Sequence, residues 1–182
     1  MSMRHLNKSL QKIVQDKLPS FVDDPEGIWL IHAGNDTSIE VSGSQRSRRS
    51  LVTNVVFLSN MTKVGVGACF ALINLVRVTV PSGVEIICED CFSDCRTLKS
   101  VSLPASLRSI QSRAFYFCVS LETLDLRHTM LREIGSSTFW NCRELSSLLF
   151  PDSLRTDPIS FTGDDVFWGC DKLVNPESYL SS

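Results

Sequence analysis

No run of apolar residues in this 182-residue chain approaches the roughly eighteen that a membrane-spanning helix needs, and the first twenty residues hold no apolar stretch of secretory length. On that basis the protein is expected in the cytoplasm, or at the cell surface if a leader precedes this sequence. Charge of one sign is also missing. The 18 basic and 20 acidic residues nearly cancel, to a net charge of -2, so no global field gathers nucleic acid or an anionic membrane. Histidine is scarce. His5, His32 and His128 lie in separate segments, and none stands beside a cysteine or serine in a nucleophile motif. Seven cysteines cannot all pair within one chain, which argues against a closed disulfide framework and for a reducing compartment. Sequons at Asn7, Asn35 and Asn60 matter only after secretion and are expected to be unused.

What is present is a repeat. Phe70, Phe92, Phe115, Phe139 and Phe167 follow one another at steps of 22, 23, 24 and 28 residues. Three residues after the last four come Cys95, Cys118, Cys142 and Cys170, and three further on come Leu98, Leu121, Leu145 and Leu173. Apolar pairs two residues apart follow: Val101 and Leu103, Leu124 and Leu126, Leu148 and Phe150, preceded by Val78 and Val80 and by Val55 and Phe57. The two-residue step puts each pair on one face of a short strand. Proline then ends the strand at Pro81, Pro104 and Pro151, with Arg127 and Leu58 in its place elsewhere. A unit this short cannot bury its own apolar residues. It must stack on its neighbours, which makes a solenoid with a parallel sheet along one side.

The segment Leu98 to Leu121, LKSVSLPASLRSIQSRAFYFCVSL, resembles the BspA-like, or Treponema-type, leucine-rich repeat, and the likeness covers about Val52 to Leu173. It implies a curved solenoid used for adhesion or protein recognition, with no shared catalytic chemistry. The expected fold is a leucine-rich-repeat solenoid with short parallel strands on one face and turns and short helical segments on the other. About five coils are expected over residues 51–176, with a tail at 177–182 and a capping extension at 1–50. In that extension Leu6, Leu10, Ile13, Val14 and Leu18 fall at helical spacing before Pro19. The helix is expected to cap the first coil, although its basic residues Arg4, Lys8, Lys12 and Lys17 also fit a targeting segment. Ile28 to His32 and Ser38 to Val41 read as strands of a hairpin around Gly34-Asn35-Asp36, and the Arg46, Arg48 and Arg49 run reads as a solvated loop.

The motif most suggestive of chemistry is Cys88, Cys91 and Cys95, at a spacing a metal could use. The repeat accounts for it more simply. Cys95 belongs to the cysteine ladder, and Cys91 and Cys69 are assigned to the small-residue position before phenylalanine that Ala114 and Thr138 fill elsewhere. Gly65-Val66-Gly67 lacks the third glycine of a phosphate loop. The sequence therefore predicts no catalytic residue, no metal site, no cofactor and no small-molecule substrate.

If the apolar residues face inward, the residues between them form the exposed sheet face. Those chosen as protein-binding candidates are Arg77, Thr79, Ser100, Ser102, Thr123, Asp125 and Ser147, in a row that also includes Leu149. They are small and mostly uncharged, without the clustered cations and stacking aromatics that nucleic acid requires. A protein partner is the expectation. The alternatives are a structural subunit of a larger assembly and a fragment of a surface adhesin.

Overall fold

The computed structural model describes residues 29–32, 52–57, 61–151, 158–163 and 165–174. These form a stack of coils in which every strand lies parallel to its neighbour. In the first wall, β4 (Arg77–Thr79), β6 (Ser100–Ser102), β8 (Thr123–Asp125) and β10 (Ser147–Leu149) form a four-stranded sheet in chain order. Each strand buries its central residue: Val78, Val101, Leu124 and Leu148. The next inward position holds Val80 and Leu126, fully enclosed, and the partly buried Leu103 and Phe150. Strand alternation thus sorts each three-residue strand into one core residue and two outward ones.

The second wall is also a sheet. It joins β3 (Lys63–Val64), β5 (Ile86–Ile87), β7 (Ser109–Ile110), β9 (Glu133–Gly135) and β11 (Ser160–Thr162), and its Val64, Ile87, Ile110 and Ile134 have no exposed surface. Upstream, β1 (Trp29–His32) pairs in parallel with β2 (Asn54–Phe57), which packs beside β4. Ser38 to Val41, the other half of the expected hairpin, and the expected helix over Leu6 to Leu18 lie outside the described residues.

The third wall corrects an expectation. No helical segment occurs there among the described residues; the chain runs through consecutive turns. Two positions per coil take the left-handed backbone conformation: Gly67, Asp90, Arg113 and Ser137 at the first, Ala71, Asp94, Phe117 and Asn141 at the second. A right-handed helix cannot propagate through them. Their amide groups turn instead toward the next coil, as in Ala71 to the Ser93 carbonyl at 2.8 Å, Phe117 to Trp140 at 2.8 Å and Asn141 to Trp168 at 2.7 Å. The residues between add a second set, Cys69 to Cys91 at 2.8 Å, Phe92 to Ala114 at 2.8 Å and Phe115 to Thr138 at 3.0 Å.

That ladder also corrects the register of the first unit. Val64 pairs with Ile87 and Val78 with Val101, so the strands step by 23 residues where Phe70 to Phe92 steps by 22. Cys69 therefore occupies the phenylalanine position, with 0% of its surface exposed, and Phe70 falls outside the core at 41%. The small-residue position before phenylalanine belongs to Cys91, Ala68, Ala114 and Thr138 and excludes Cys69. Leu72 takes the place that the later coils give to cysteine.

The remaining phenylalanines of the repeat stack through the interior. Ring centroids of Phe92 and Phe115 lie 5.4 Å apart, those of Phe115 and Phe139 5.7 Å, and those of Phe139 and Phe167 5.7 Å, all nearly parallel. Phe115 has no exposed surface and a ring on either side. Phe115→Ala is expected to lower unfolding stability by about 3 to 5 kcal/mol in chemical denaturation, and Phe70→Ala by about 1 kcal/mol or less. Equal losses at the two positions would restore the register that the strand pairing rejects.

Candidate functional site

The outer face of the β4–β6–β8–β10 sheet brings the seven candidate residues together. Pairing sets Arg77 beside Ser100, Ser100 beside Thr123 and Thr123 beside Ser147 in one row, and Thr79 beside Ser102 in the other, where Asp125 lies beside Leu149. Arg77, Thr79, Ser102, Thr123 and Asp125 are exposed, while Ser100 and Ser147 are half-buried. Hydroxyls of short side chains therefore floor the face, with a cation at its first strand and the apolar Leu149, 40% exposed, at its last.

Its two charges differ in availability. Asp125 is held by Arg127 through Nη2 to Oδ2 at 2.7 Å and Nε to Oδ1 at 3.0 Å, and the Arg127 backbone amide donates to Oδ1 at 3.0 Å. The Arg127 side-chain hydrogen bonds, then its amide, bring the Asp125 carboxyl down to about 2. It stays ionised as pH falls toward that value, and its charge is already matched. Arg77 forms no ion pair among the described residues. Arg127 was missed as a residue of this face, although a signal existed. It replaces the proline that ends the other strands, and only a residue other than proline can offer both the amide and the guanidinium that close on Asp125.

The cysteines have a structural employment. The thiols of Cys95, Cys118, Cys142 and Cys170 donate to the carbonyls of Cys69, Phe92, Phe115 and Phe139, one coil back, at 3.1, 3.1, 3.2 and 3.1 Å. Each of those carbonyls already accepts the amide three residues on, as Phe92 does from Cys95 at 3.2 Å and Phe115 from Cys118 at 3.2 Å. The thiol satisfies the second lone pair of a buried oxygen. Cys88 and Cys91 are buried as well, all seven cysteines are free, and among the described residues no three His, Cys, Asp or Glu side chains converge as metal ligands.

Burial pushes the thiols of Cys118 and Cys142 well above their ordinary value, and that of Cys170 up to about 12. A folded pKa raised above the unfolded one means stability that is complete below the unfolded value and lost as pH rises toward the folded one. Unfolding stability is therefore expected to be level at neutral pH and to fall above about pH 8.5, by roughly 1.4 kcal/mol per pH unit for each of Cys118, Cys142 and Cys170. The double variant Cys118→Ala, Cys142→Ala should be less stable at neutral pH yet show a shallower alkaline decline. An unchanged alkaline slope would show that these thiols do not carry it.

The family model described as "BspA type Leucine rich repeat region" matches residues 63–177 in 6 copies. A leucine-rich-repeat protein of Treponema pallidum, whose crystal structure is solved, is 26% identical with a TM-score of 0.58, over 82% of this chain and 57% of its own. One from Eubacterium ventriosum is 19% identical with a TM-score of 0.60, over 80% of this chain and 38% of its own, a likeness of fold alone. The chain thus spans between about two fifths and three fifths of these structures. None of the curated proteins compared with it matches. No helix among the described residues is long and apolar enough to cross a membrane. Repeat by repeat over most of its length, the chain belongs to the BspA-type leucine-rich-repeat family, whose members generally serve as protein-interaction modules.

Proposed function

We propose that the protein is a non-catalytic interaction module that holds a protein partner on the outer face of the β4–β6–β8–β10 sheet. The observation that carries this is the alignment of Arg77, Ser100, Thr123 and Ser147 in one row across four strands whose backbones are fixed by their neighbours. A rigid face of short hydroxyl side chains lets a polypeptide approach closely and hydrogen-bond, with little side-chain entropy to lose on binding. Arg77, which has no ion pair among the described residues, supplies a charge, and Leu149 an apolar contact at the far strand. Seven free thiols fit a reducing compartment, so the proposal places the module in the cytoplasm.

The partner is to be isolated by affinity capture from the native cell and its affinity then measured with purified protein. Reversing the free charge, Arg77→Glu, is expected to weaken binding about tenfold or more, with circular dichroism unchanged. Asp125→Asn should have the smaller effect, because Arg127 already holds that carboxylate. If affinity survives Arg77→Glu but is lost on changing Arg46, Arg48 and Arg49 or the segment Leu6 to Leu18, recognition belongs to the N-terminal region and the sheet face is excluded.

A further inference from the structure

The sheet face carries no aromatic residue, and the exposed aromatics gather elsewhere. On the outside of the turn wall, the position following the core phenylalanine is occupied by Tyr116, Trp140 and Trp168 in three successive coils. Their rings stack along the solenoid, with centroids 6.3 Å apart from Tyr116 to Trp140 and 5.6 Å from Trp140 to Trp168, each pair inclined by 25°. Phe117 leans on Tyr116 at 4.8 Å. The row is fixed from behind, because the carbonyls of Tyr116, Trp140 and Trp168 accept the amides of Asp94, Phe117 and Asn141 at 2.7, 2.8 and 2.7 Å. Trp168 is 63% exposed, and Tyr116 and Trp140 are half-buried.

Two features decide what this row fits. Trp140 lies between two rings, so its faces are occupied and its perimeter is what meets a ligand; a sugar, which stacks on an open aromatic face, is poorly served there. The Tyr116 hydroxyl and the indole N–H groups of Trp140 and Trp168 have no hydrogen-bond partner among the described residues. Three rings that each carry a donor without a partner among the described residues thus repeat at 5.6 to 6.3 Å. In an extended polypeptide, successive carbonyls on one side recur about every 6.6 Å, two residues at roughly 3.3 Å each. The ring repeat is thus close to the carbonyl repeat over the three coils.

We infer that the Tyr116–Trp140–Trp168 row is a second recognition surface, which binds an uncharged extended polypeptide lying along the solenoid axis. Its main-chain carbonyls accept from the three donors and its apolar side chains cover the ring edges. The surface stands on the wall away from the sheet face and does not depend on binding there.

The test pans the full chain against a displayed library of unstructured linear peptides and measures the affinities of the selected peptides. Binding is expected to change tryptophan fluorescence and to weaken about tenfold or more in the double variant Tyr116→Phe, Trp140→Phe, which keeps an aromatic ring at each position and removes two donors. Arg77→Glu should leave it unchanged, and an unaltered circular dichroism spectrum establishes that both variants are folded. The inference is overturned if no peptide is enriched or if the double variant binds as the parent does. Binding lost with Arg77→Glu and kept by the ridge variant would likewise overturn it while supporting the sheet face. Capture of β-linked oligosaccharides by the parent but not the double variant would assign the row to carbohydrate and sink the peptide reading.

Discussion

Everything in this fold depends on one backbone constraint: the hydrogen bonds that a coil makes within its own turns satisfy only part of its backbone, and the rest must be found in the coils on either side. In the two strand walls this is ordinary parallel pairing. The turn wall has no strands among the described residues, yet its amides still reach the next coil at 2.7 to 2.8 Å from Ala71, Asp94, Phe117 and Asn141. Leaving those groups unpaired and out of water would cost on the order of 1 to 3 kcal/mol apiece. That penalty matches or outweighs the strain of holding a residue with a side chain in the left-handed region, roughly 1 to 2 kcal/mol. Asp90, Arg113 and Phe117 therefore remain where glycine would be more comfortable, and the ladder survives.

The same constraint explains why cysteine recurs at one position. A carbonyl in the turn wall accepts one amide from its own coil and keeps a second lone pair, buried and facing the next coil. A thiol is small enough for that tight corner, weakly enough hydrated to be buried at modest cost, and still able to donate. Leucine serves in the first coil of the turn wall, where Leu72 has the place of Cys95. Reactive thiols need solvent and a depressed pKa. Cys118 and Cys142 have burial and a raised one.

How much of this was legible in the sequence follows from which interactions leave a periodic mark. Inward residues do, because core positions tolerate few side chains: Val78, Val101, Leu124 and Leu148 could be assigned to one face, and the row of Arg77, Ser100, Thr123 and Ser147 followed by alternation. Left-handed positions did not, because they are filled by Ala71, Asp94, Phe117 and Asn141, which share no chemistry. That is why helical segments were expected where turns stand. Phe70 misled for a simpler reason. An aromatic residue beside the core position attracts an alignment by type, whereas the register is set by strands that pair Val64 with Ile87 and leave Cys69 facing inward. The Asp125–Arg127 clasp was hidden for the converse reason, as a break in the pattern that looked like mere divergence.

Those breaks show what the constraint leaves free. Pairing fixes the walls but says little about the corners, so coils can differ in length provided the extra residues enter where no ladder runs. The step from Phe92 to Phe115 is 23 residues and that from Phe115 to Phe139 is 24, yet the rings stay 5.4 and 5.7 Å apart because the added residue lies in the corner after β8. That corner is where Arg127 replaces proline and closes on Asp125. Outward positions are free in the same sense: the backbone places them at regular intervals whatever they carry. Hydroxyls on one wall and aromatic rings on another can thus be varied without disturbing the core. In a solenoid, recognition is written on those positions, one residue per coil, at a spacing the hydrogen-bond ladder has already set.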